Sequence, residues 1–355
     1  MASFTILLLS LLTITTHATT TTTSLYLSPK TLFPNYNNML NSFKIFIYAP
    51  PPSTTPTPTL FTTPQQSHFY TSLLHSPFLT QDPNHAHLFF LPFPSSTSTR
   101  SLARHIRNIR INFPFWNRTL GADHFYLSAA GVDSSSDRNV VELKKNSVQI
   151  SCFPTSSGLF IPHKDITLPP MHSFQLITPS VNDVNGANFT YLGYMKLTAG
   201  QTPSNLIEEI SDHPEFIVEY EPVSKKENKK EKFKNSRFCL FVYGSDMTWM
   251  VEAMASGCVP VVITERPIQD LPLMDVVDWS EMAVFVGVNG GVKGLKRVLD
   301  GIEKSRYERL VESGVAATQH LVWNAEPQAH DAFHMVVYQL WLRRHTVRYA
   351  RWVEQ

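Results

Sequence analysis

One stretch of the chain, FCLFVYGSDMTWMVEAMASGCVPVVITE at residues 238–265, constrains the fold more than any other. An apolar run of strand length leads into a tight turn at Gly244, a helix-forming segment, a glycine and a second apolar run. Continuous apolar runs are typical of strands that are buried on both faces, as in parallel sheets. Because parallel strands need a crossover connection, this stretch predicts a strand–helix–strand unit of an α/β domain.

The middle of this stretch has the pattern of an amphipathic helix. Ser245 or Asp246 is expected to cap its N-terminus, and Gly257 fits the position after its C-terminus, where a positive φ is favourable. Glu252 lies nearly opposite the apolar stripe, so the pattern alone favours a solvated position for this carboxylate. The apolar residues at helical spacing are Met247, Met250, Val251 and Met254.

Two series of such units run along the chain and predict two α/β domains that face a cleft. The expected domains span residues 43–185 and 186–330, and residues 331–355 are expected to form a C-terminal helix. Outside the second series, strands are predicted at 43–50 and 86–93, and helices at 68–78 and, with a basic outer face, at 101–113. Within it, helices and strands are predicted at 188–197, 205–210, 215–220, 238–265, 282–288 and 292–302.

Composition limits the functions that this chain can have. A net charge of +1 gives no electrostatic reason to expect a nucleic-acid partner. Cys152, Cys239 and Cys258 are too few for a disulfide-stapled scaffold and lack the spacing of a zinc site. Cys239 and Cys258 flank neighbouring predicted strands and could pair, although the pattern favours two small buried side chains.

The N-terminus predicts entry into the secretory pathway. The apolar run at residues 4–14 has the length of a signal-peptide core and is too short to span a bilayer comfortably. Residues 1–18 are therefore expected to be a cleaved signal peptide or a short signal anchor, and residues 19–42 a stem rich in Thr and Ser. Two candidate N-glycosylation sites, Asn117 and Asn188, fit this route.

Seven segments, taken in order, resemble the exostosin-like glycosyltransferases (glycosyltransferase family 47), in particular their plant cell-wall branch. The resemblance implies a GT-B fold of two Rossmann-like domains. It also implies an inverting transfer of a sugar from a nucleotide sugar, expected to be a UDP-sugar, to a cell-wall polysaccharide or glycan in the Golgi lumen, with other Golgi glycosyltransferases as possible partners. The segments are KIFIY, SPFLTQDPNHAHLFFLPF, FPFWNRTLGADHF, HKDITLPP, SRFCLFVYG, VEAMASGCVPVVI and DAFHMVVYQLWLRRH.

The resemblance gives Glu252 a role, because the matching Glu of the family is expected to accept hydrogen bonds from the ribose hydroxyls of the donor. Tyr243, Ser245 and Gly257 are included in the same nucleotide-sugar site. The sequence has no Asp-x-Asp, and the diphosphate is expected to rely on a helix N-terminus and basic side chains. We therefore expect neither a metal nor a cofactor besides the donor.

The aromatic and polar segment at residues 112–125 is the predicted acceptor site. Trp116, Asn117 and Arg118 are expected to bind the acceptor, because sugars stack on aromatic rings and hydrogen-bond to polar groups. A base that works near neutral pH is expected at His124, oriented by Asp123. The same pair could equally well be structural and tie a loop to the core.

Four positions depart from the family pattern. A Glu and an Arg are usual where this chain has Gly244 and Trp249. A further Glu and Arg are replaced by Gln66 and Leu79. Because a tryptophan cannot supply the charge of an arginine to a diphosphate, the alternative function is a catalytically weak or inactive paralogue. Such a paralogue would serve as a partner subunit of a Golgi polysaccharide synthase complex.

Overall fold

The structure is a computed structural model. It describes residues 25–50, 60–129, 131–155, 160–171, 189–197, 205–220 and 235–352, with side chains up to residue 344. The predicted signal segment at 1–18, the first part of the predicted stem and Asn188 lie outside the described residues.

The described residues form two compact units, each with its own sheet. The first-sheet unit takes the described residues within Lys30–Met171, Gln269–Leu273 and Trp323–Gln355. The second-sheet unit takes those within Met1–Pro29, His172–Ile268 and Met274–Val322. Each sheet has five parallel strands, which confirms the α/β class and is consistent with two Rossmann-like domains of the GT-B type.

The strands and the helices are each numbered in chain order. The strands are β1 (Ile45–Ile47), β2 (Leu88–Phe90), β3 (His124–Leu127), β4 (Val148–Cys152), β5 (Ile166–Leu168), β6 (Tyr191–Leu197), β7 (Phe216–Tyr220), β8 (Ser236–Val242), β9 (Val259–Thr264) and β10 (Val284–Gly287). The helices are α1 (Pro29–Ser42), α2 (Pro64–Leu74), α3 (Thr99–Asn112), α4 (Phe115–Thr119), α5 (Arg138–Asn146), α6 (Asn205–Ser211), α7 (Met250–Ala255), α8 (Gly291–Asp300), α9 (Lys304–Leu321) and α10 (Ala332–Trp352).

The first sheet has the strand order β1-β2-β3-β4-β5, so each strand pairs with its neighbours in sequence. All three residues of β2 are buried, as its continuous apolar run predicts. Helix α3 begins at the cap Ser98, whose hydroxyl accepts from the backbone N–H of Ser101. Its apolar face contributes to the core of this unit through Leu102, Ala103, Ile106 and Ile109.

Helix α1 occupies residues that the sequence assigns to the stem. Its buried side chains, Leu32, Tyr36 and Met39, follow helical spacing. The Tyr36 ring stacks on His330 with centroids 4.1 Å apart, and its hydroxyl accepts from the backbone N–H of His330 at 2.9 Å. The part of the predicted stem from Pro29 to Ser42 is therefore a helix that packs as part of the first-sheet unit.

A buried ionic cluster joins the last helix to the strand β5. Lys164 and Asp165 are buried and form an ion pair with each other. The Arg343 guanidinium donates to the backbone carbonyls of both residues, at 2.6 Å from Nε and 2.9 Å from Nη2. Arg343 is itself buried, so this basic residue of the C-terminal helix lies in the interior of the first-sheet unit.

The second sheet has the order β10-β9-β8-β6-β7. Its core lies on the face of β6 that presents Met195 and Leu197, where helices α6, α8 and α9 supply Ile210, Leu299 and Leu310. The order reverses direction between β6 and β8, because the chain continues from β6 to β7 on one side and then to β8 on the other. We call this reversal the switch point. Of the two sheets that the described strands form, only this one has a switch point.

A disulfide joins Cys239 of β8 to Cys258, the residue before β9, with their Cα atoms 5.7 Å apart. The expectation of two separate buried thiols is therefore wrong, because adjacent parallel strands bring the two side chains within bonding distance. Cys152, by contrast, is a free cysteine. Within the described part of the chain, no helix is long and apolar enough to cross a membrane.

We expect a reducing agent to destabilise the second-sheet unit, because the disulfide closes a loop with a sequence separation of 19. Loop closure of this size contributes about 3 kcal/mol to the free energy of unfolding. Thermal unfolding with and without reductant measures the effect, and a double C239A/C258A variant should no longer respond. A C152A variant is the matched control and should respond like the wild type. Equal melting temperatures of the wild type with its thiols shown to be reduced would contradict the prediction.

Candidate functional site

The switch point of the second sheet marks the candidate site. In open parallel sheets, ligands bind outside the carboxyl ends of the strands where the strand order reverses. Here those ends are Lys196 and Leu197 of β6 and the residues that follow Val242 of β8. The predicted donor residues Tyr243 and Ser245 follow β8 directly, so the fold brings them to this edge.

The loop after β8 is a turn built around Gly244. This glycine has a φ of +90°, a conformation that residues with a Cβ atom rarely adopt. The Ser245 hydroxyl donates to the Val242 carbonyl at 2.6 Å, and an Asp246 carboxylate oxygen accepts from the backbone N–H of Thr248 at 2.9 Å. The predicted helix caps at Ser245 and Asp246 are therefore wrong, because both side chains bond within the turn.

Helix α7 begins at Met250 and carries Glu252 in its first turn. All its other residues are buried, and Glu252 is partly exposed, as its place opposite the apolar stripe predicts. A carboxylate in this position is favourable next to the positive end of the helix dipole. Gly257 follows the C-terminal cap with a φ of +79°, which confirms its predicted conformation. Its part in binding a nucleotide sugar stays a prediction.

Trp249 is in the interior of the second-sheet unit. Its ring lies 4.1 Å from that of Phe241, centroid to centroid, and 5.7 Å from that of Tyr194 in an edge-to-face contact. The position where the family pattern has an arginine is thus used here for packing. The tryptophan side chain is 1% exposed, so it cannot be part of a solvent-filled diphosphate site.

Polar side chains gather at the switch point on the face of the sheet opposite Met195. Lys196 and Glu219 are register partners on β6 and β7, and the Tyr194 hydroxyl donates to Glu219 at 2.7 Å. The Lys196 ammonium lies 4.0 Å from a carboxylate oxygen of Asp246. Carboxylates accept hydrogen bonds from sugar hydroxyls, and a lysine attracts phosphate. No group of three or more metal-ligating side chains occurs among the described residues.

In the first-sheet unit, Asp123 is a buried carboxylate surrounded by donors. It accepts from Arg118 at 2.9 Å, from the Thr119 hydroxyl at 2.5 Å and from His124 Nδ1 at 2.7 Å. Burial alone would raise the pKa of Asp123, but the hydrogen bond and charge of His124, together with the hydrogen bonds of Thr119 and Arg118, lower it to about 2. The Asp123 side chain therefore carries a negative charge that its neighbours compensate.

His124 has both ring nitrogens in use. Nδ1 faces Asp123, and Nε2 lies 3.1 Å from the Tyr48 hydroxyl. The ring is fully buried and stacks on Tyr48 and Phe89. A general base must reach the proton that it removes. This geometry favours the structural alternative for Asp123 and His124, in which the pair ties the segment after α4 to the residue that follows β1 and to β2.

The three predicted acceptor residues differ in exposure. Trp116 is fully buried and donates to Glu142 at 3.3 Å, so its ring is not available for stacking on a sugar in this conformation. Asn117 is exposed, and its side chain exchanges hydrogen bonds with Arg110. The Arg118 side chain is 49% exposed while it binds Asp123.

The glycosylation pattern that starts at Asn117 lies inside α4. Its third residue, Thr119, is buried, and its hydroxyl donates a hydrogen bond to Asp123. The folded chain therefore does not present this pattern as an open, extended segment. Asn117 stays a candidate only for the unfolded chain.

Gln66 and Leu79, the other two departures, occupy structural positions. Gln66 is fully buried in α2, and its carboxamide, turned so that the oxygen faces two donors, accepts from the backbone N–H of Ser128 and Ala129 at 3.1 and 2.9 Å. A glutamine keeps the acceptor that a glutamate would supply at this position. Leu79 forms a parallel bridge with Ile45 at the edge of the first sheet.

Comparison with known proteins decides the family. The model of the exostosin GT47 domain matches residues 39–302 of this chain. The chain belongs to the exostosin GT47 family. This match includes the switch point, the loop after β8 and helix α7, so the candidate site lies within the family domain.

Several plant proteins are similar to the chain. A "Probable glycosyltransferase" from Arabidopsis thaliana is 30% identical over 293 residues, 76% of this chain and 61% of the relative. A second protein of that name and organism is 29% identical, over 90% of this chain and 71% of its own length. A "Probable beta-1,4-xylosyltransferase" of the same plant is 25% identical, over 75% of this chain and 71% of the relative. The chain thus spans about three fifths of the length of the first relative.

We expect D123N to destabilise the first-sheet unit most strongly near neutral pH. The folded pKa of about 2 lies below the model-compound value of 3.8, so the ionised carboxylate adds stability above pH 3.8 that is lost as the pH falls toward 2. The shift corresponds to roughly 2 kcal/mol. Melting temperatures between neutral and acid pH measure it. The control is D133N at an exposed position, and equal acid sensitivity of the D123N variant and the wild type would disprove the assignment.

We expect G244A to destabilise the loop after β8 by about 1–2 kcal/mol, because alanine tolerates a φ of +90° poorly. No atom lies within 4 Å of an added Cβ, so crowding does not contribute. G287A is the matched control, since Gly287 has equal space and a φ of −76°. Urea unfolding of both variants tests this, and equal losses would show that the turn does not depend on the glycine.

Proposed function

We propose that the protein is an inverting glycosyltransferase that moves a sugar from a UDP-sugar to a cell-wall polysaccharide or glycan. The observation that carries the proposal is the switch point of the second sheet, with the residues after β8 and Glu252 at the edge where such sheets bind ligands. Membership of the exostosin GT47 family supports the same reaction class.

The names of the relatives support a sugar donor and a glycan acceptor. Besides the xylosyltransferase, a "Probable glucuronosyltransferase" from Oryza sativa subsp. japonica is 26% identical over 75% of this chain. A pentose or a uronic acid is accordingly the sugar that we would test first.

In this proposal Glu252 accepts hydrogen bonds from the ribose hydroxyls of the donor. A charged acceptor suits this task, because hydrogen bonds to ionised groups are stronger than neutral ones. Tyr243, Ser245 and Gly257 shape the same site through the turn and the end of α7. In the same proposal Asp123 and His124 keep the acceptor-side segment folded.

We also propose that the protein works in the Golgi lumen, held by its N-terminal segment or released after cleavage. The disulfide Cys239–Cys258 supports an oxidising compartment, where disulfides form and persist. The apolar run at residues 4–14 supports the same route.

A second candidate function is that of a catalytically weak or inactive partner subunit of a polysaccharide synthase complex. Trp249 favours it, because the ring fills the core where the family pattern has a cation. Such a subunit would keep its fold and its contacts with other Golgi glycosyltransferases without transferring sugar itself.

A panel of UDP-sugars tests the proposal by thermal shift and by sugar transfer to glycan acceptors. We expect at least one UDP-sugar to raise the melting temperature, and E252Q to bind it about tenfold or more weakly, since a charged hydrogen-bond acceptor is lost. The matched control is E265Q, an exposed Glu that follows β9 at the same edge.

The outcomes separate the two functions. Binding with transfer supports the enzyme, and binding without transfer to any acceptor supports the partner subunit. No binding of any UDP-sugar by the folded wild type would overturn the donor site.

A further inference from the structure

Helix α3 carries a row of arginines that the proposed donor chemistry does not use. Arg100, Arg104 and Arg107 recur at helical spacing, so they lie on one side of the helix. All three are exposed. They have no ion-pair partner among the residues that the structure describes, and we call them the arginine row.

The helix contains no carboxylate that could neutralise the row. Its fourth arginine, Arg110, differs because it turns toward α5 and pairs with Glu142 at 3.1 Å. Glu142 also accepts from Arg138 and is mostly buried, so its charge is already compensated. The row therefore keeps its positive charge toward solvent, on a chain whose net charge is only +1.

The geometry of the row fits a linear partner. Arg107 lies seven positions after Arg100 in the helix, which corresponds to about 10 Å along the axis. Guanidinium groups bind carboxylates through paired N–H donors, and they do so better than ammonium groups. Ile111 continues the row with 74% of its surface exposed and offers an aliphatic contact at its end.

The same helix is poorly suited to a membrane surface. Helices that lie on membranes bury an apolar face in the lipid. The apolar face of α3 is already packed in the core of the first-sheet unit, through Leu102, Ile106 and Ile109. One exposed isoleucine does not replace that face.

We propose that the arginine row binds an anionic polysaccharide, one whose chain carries uronic-acid carboxylates, and so guides the acceptor along the first-sheet unit. The charge and spacing of the row carry the anionic part of this proposal. The choice of a polysaccharide rests on the proposed glycosyltransferase function.

The test compares polygalacturonate oligosaccharides with neutral xylan oligosaccharides of equal length, using the whole chain. We expect the wild type to prefer the anionic oligosaccharides, and NaCl to weaken this binding because exposed charges are screened. The R100Q/R104Q/R107Q variant should bind them about tenfold or more weakly, since each exposed ionic contact contributes a modest share. The matched control K293Q/R297Q/R309Q removes the same charge from exposed positions of the second-sheet unit and should bind like the wild type.

Three results would overturn the proposal: equal binding of neutral and anionic oligosaccharides, equal losses in both triple variants, or a row that binds phosphatidylserine vesicles and not polygalacturonate. The thermal shift of the same variants with UDP-sugars is measured in parallel. This measurement distinguishes a failure of the arginine-row proposal from a failure of the proposed transferase function. If the arginine row binds polygalacturonate and no UDP-sugar binds, the row is supported as a polyanion-binding surface and the transferase assignment fails. If a UDP-sugar binds and the R100Q/R104Q/R107Q variant keeps full affinity for polygalacturonate, the arginine-row proposal fails and the donor site is supported.

Discussion

Every described strand pairing in both sheets is parallel, and this constraint shapes the rest of the protein. Parallel strands cannot be joined by tight hairpins, so the chain must leave each sheet and return through a crossover. The crossovers then cover the sheet faces, which leaves the strand ends as the places where polar groups meet water. The polar side chains around Lys196 and the turn at Gly244 lie at such an end.

The buried charges described in the first-sheet unit each have compensating partners. Asp123 receives donors from Arg118, Thr119 and His124, and Lys164 and Asp165 neutralise each other beside Arg343. A buried charge without a partner would cost several kcal/mol, about 3–5 when one partner of a pair is removed. These clusters sit in segments that resemble family motifs, so part of what a motif preserves here is the compensation of charge in the interior.

The sequence predicts the elements with strong periodicity well. The strand β2, helix α3 and the buried stripe of α7 follow from apolar spacing alone. Helix α9 could not be predicted in this way, because its buried side includes small and polar residues such as Ser313, Gly314 and Thr318. The switch point also escapes sequence reasoning, since strand order depends on which strands pair.

The site shows the same division. The spacing around Glu252 predicts its partial exposure, and Gly257 its positive φ, because both depend on local helix geometry. The burial of Trp116 and His124 depends on distant segments, so an aromatic and polar motif resembles a sugar site in sequence while its rings pack inward. The disulfide needed the pairing of β8 with β9 before Cys239 and Cys258 could be seen as neighbours.

That disulfide has a topological consequence. The ring that it closes contains the end of β8, the whole turn, all of helix α7 and Gly257, so it holds every residue proposed for the donor site. A protease that cuts the exposed turn at Gly244 would leave the two fragments joined by a covalent bond. The nicked protein would keep its full mass until it is reduced, and β8 and β9 would stay tethered across the break.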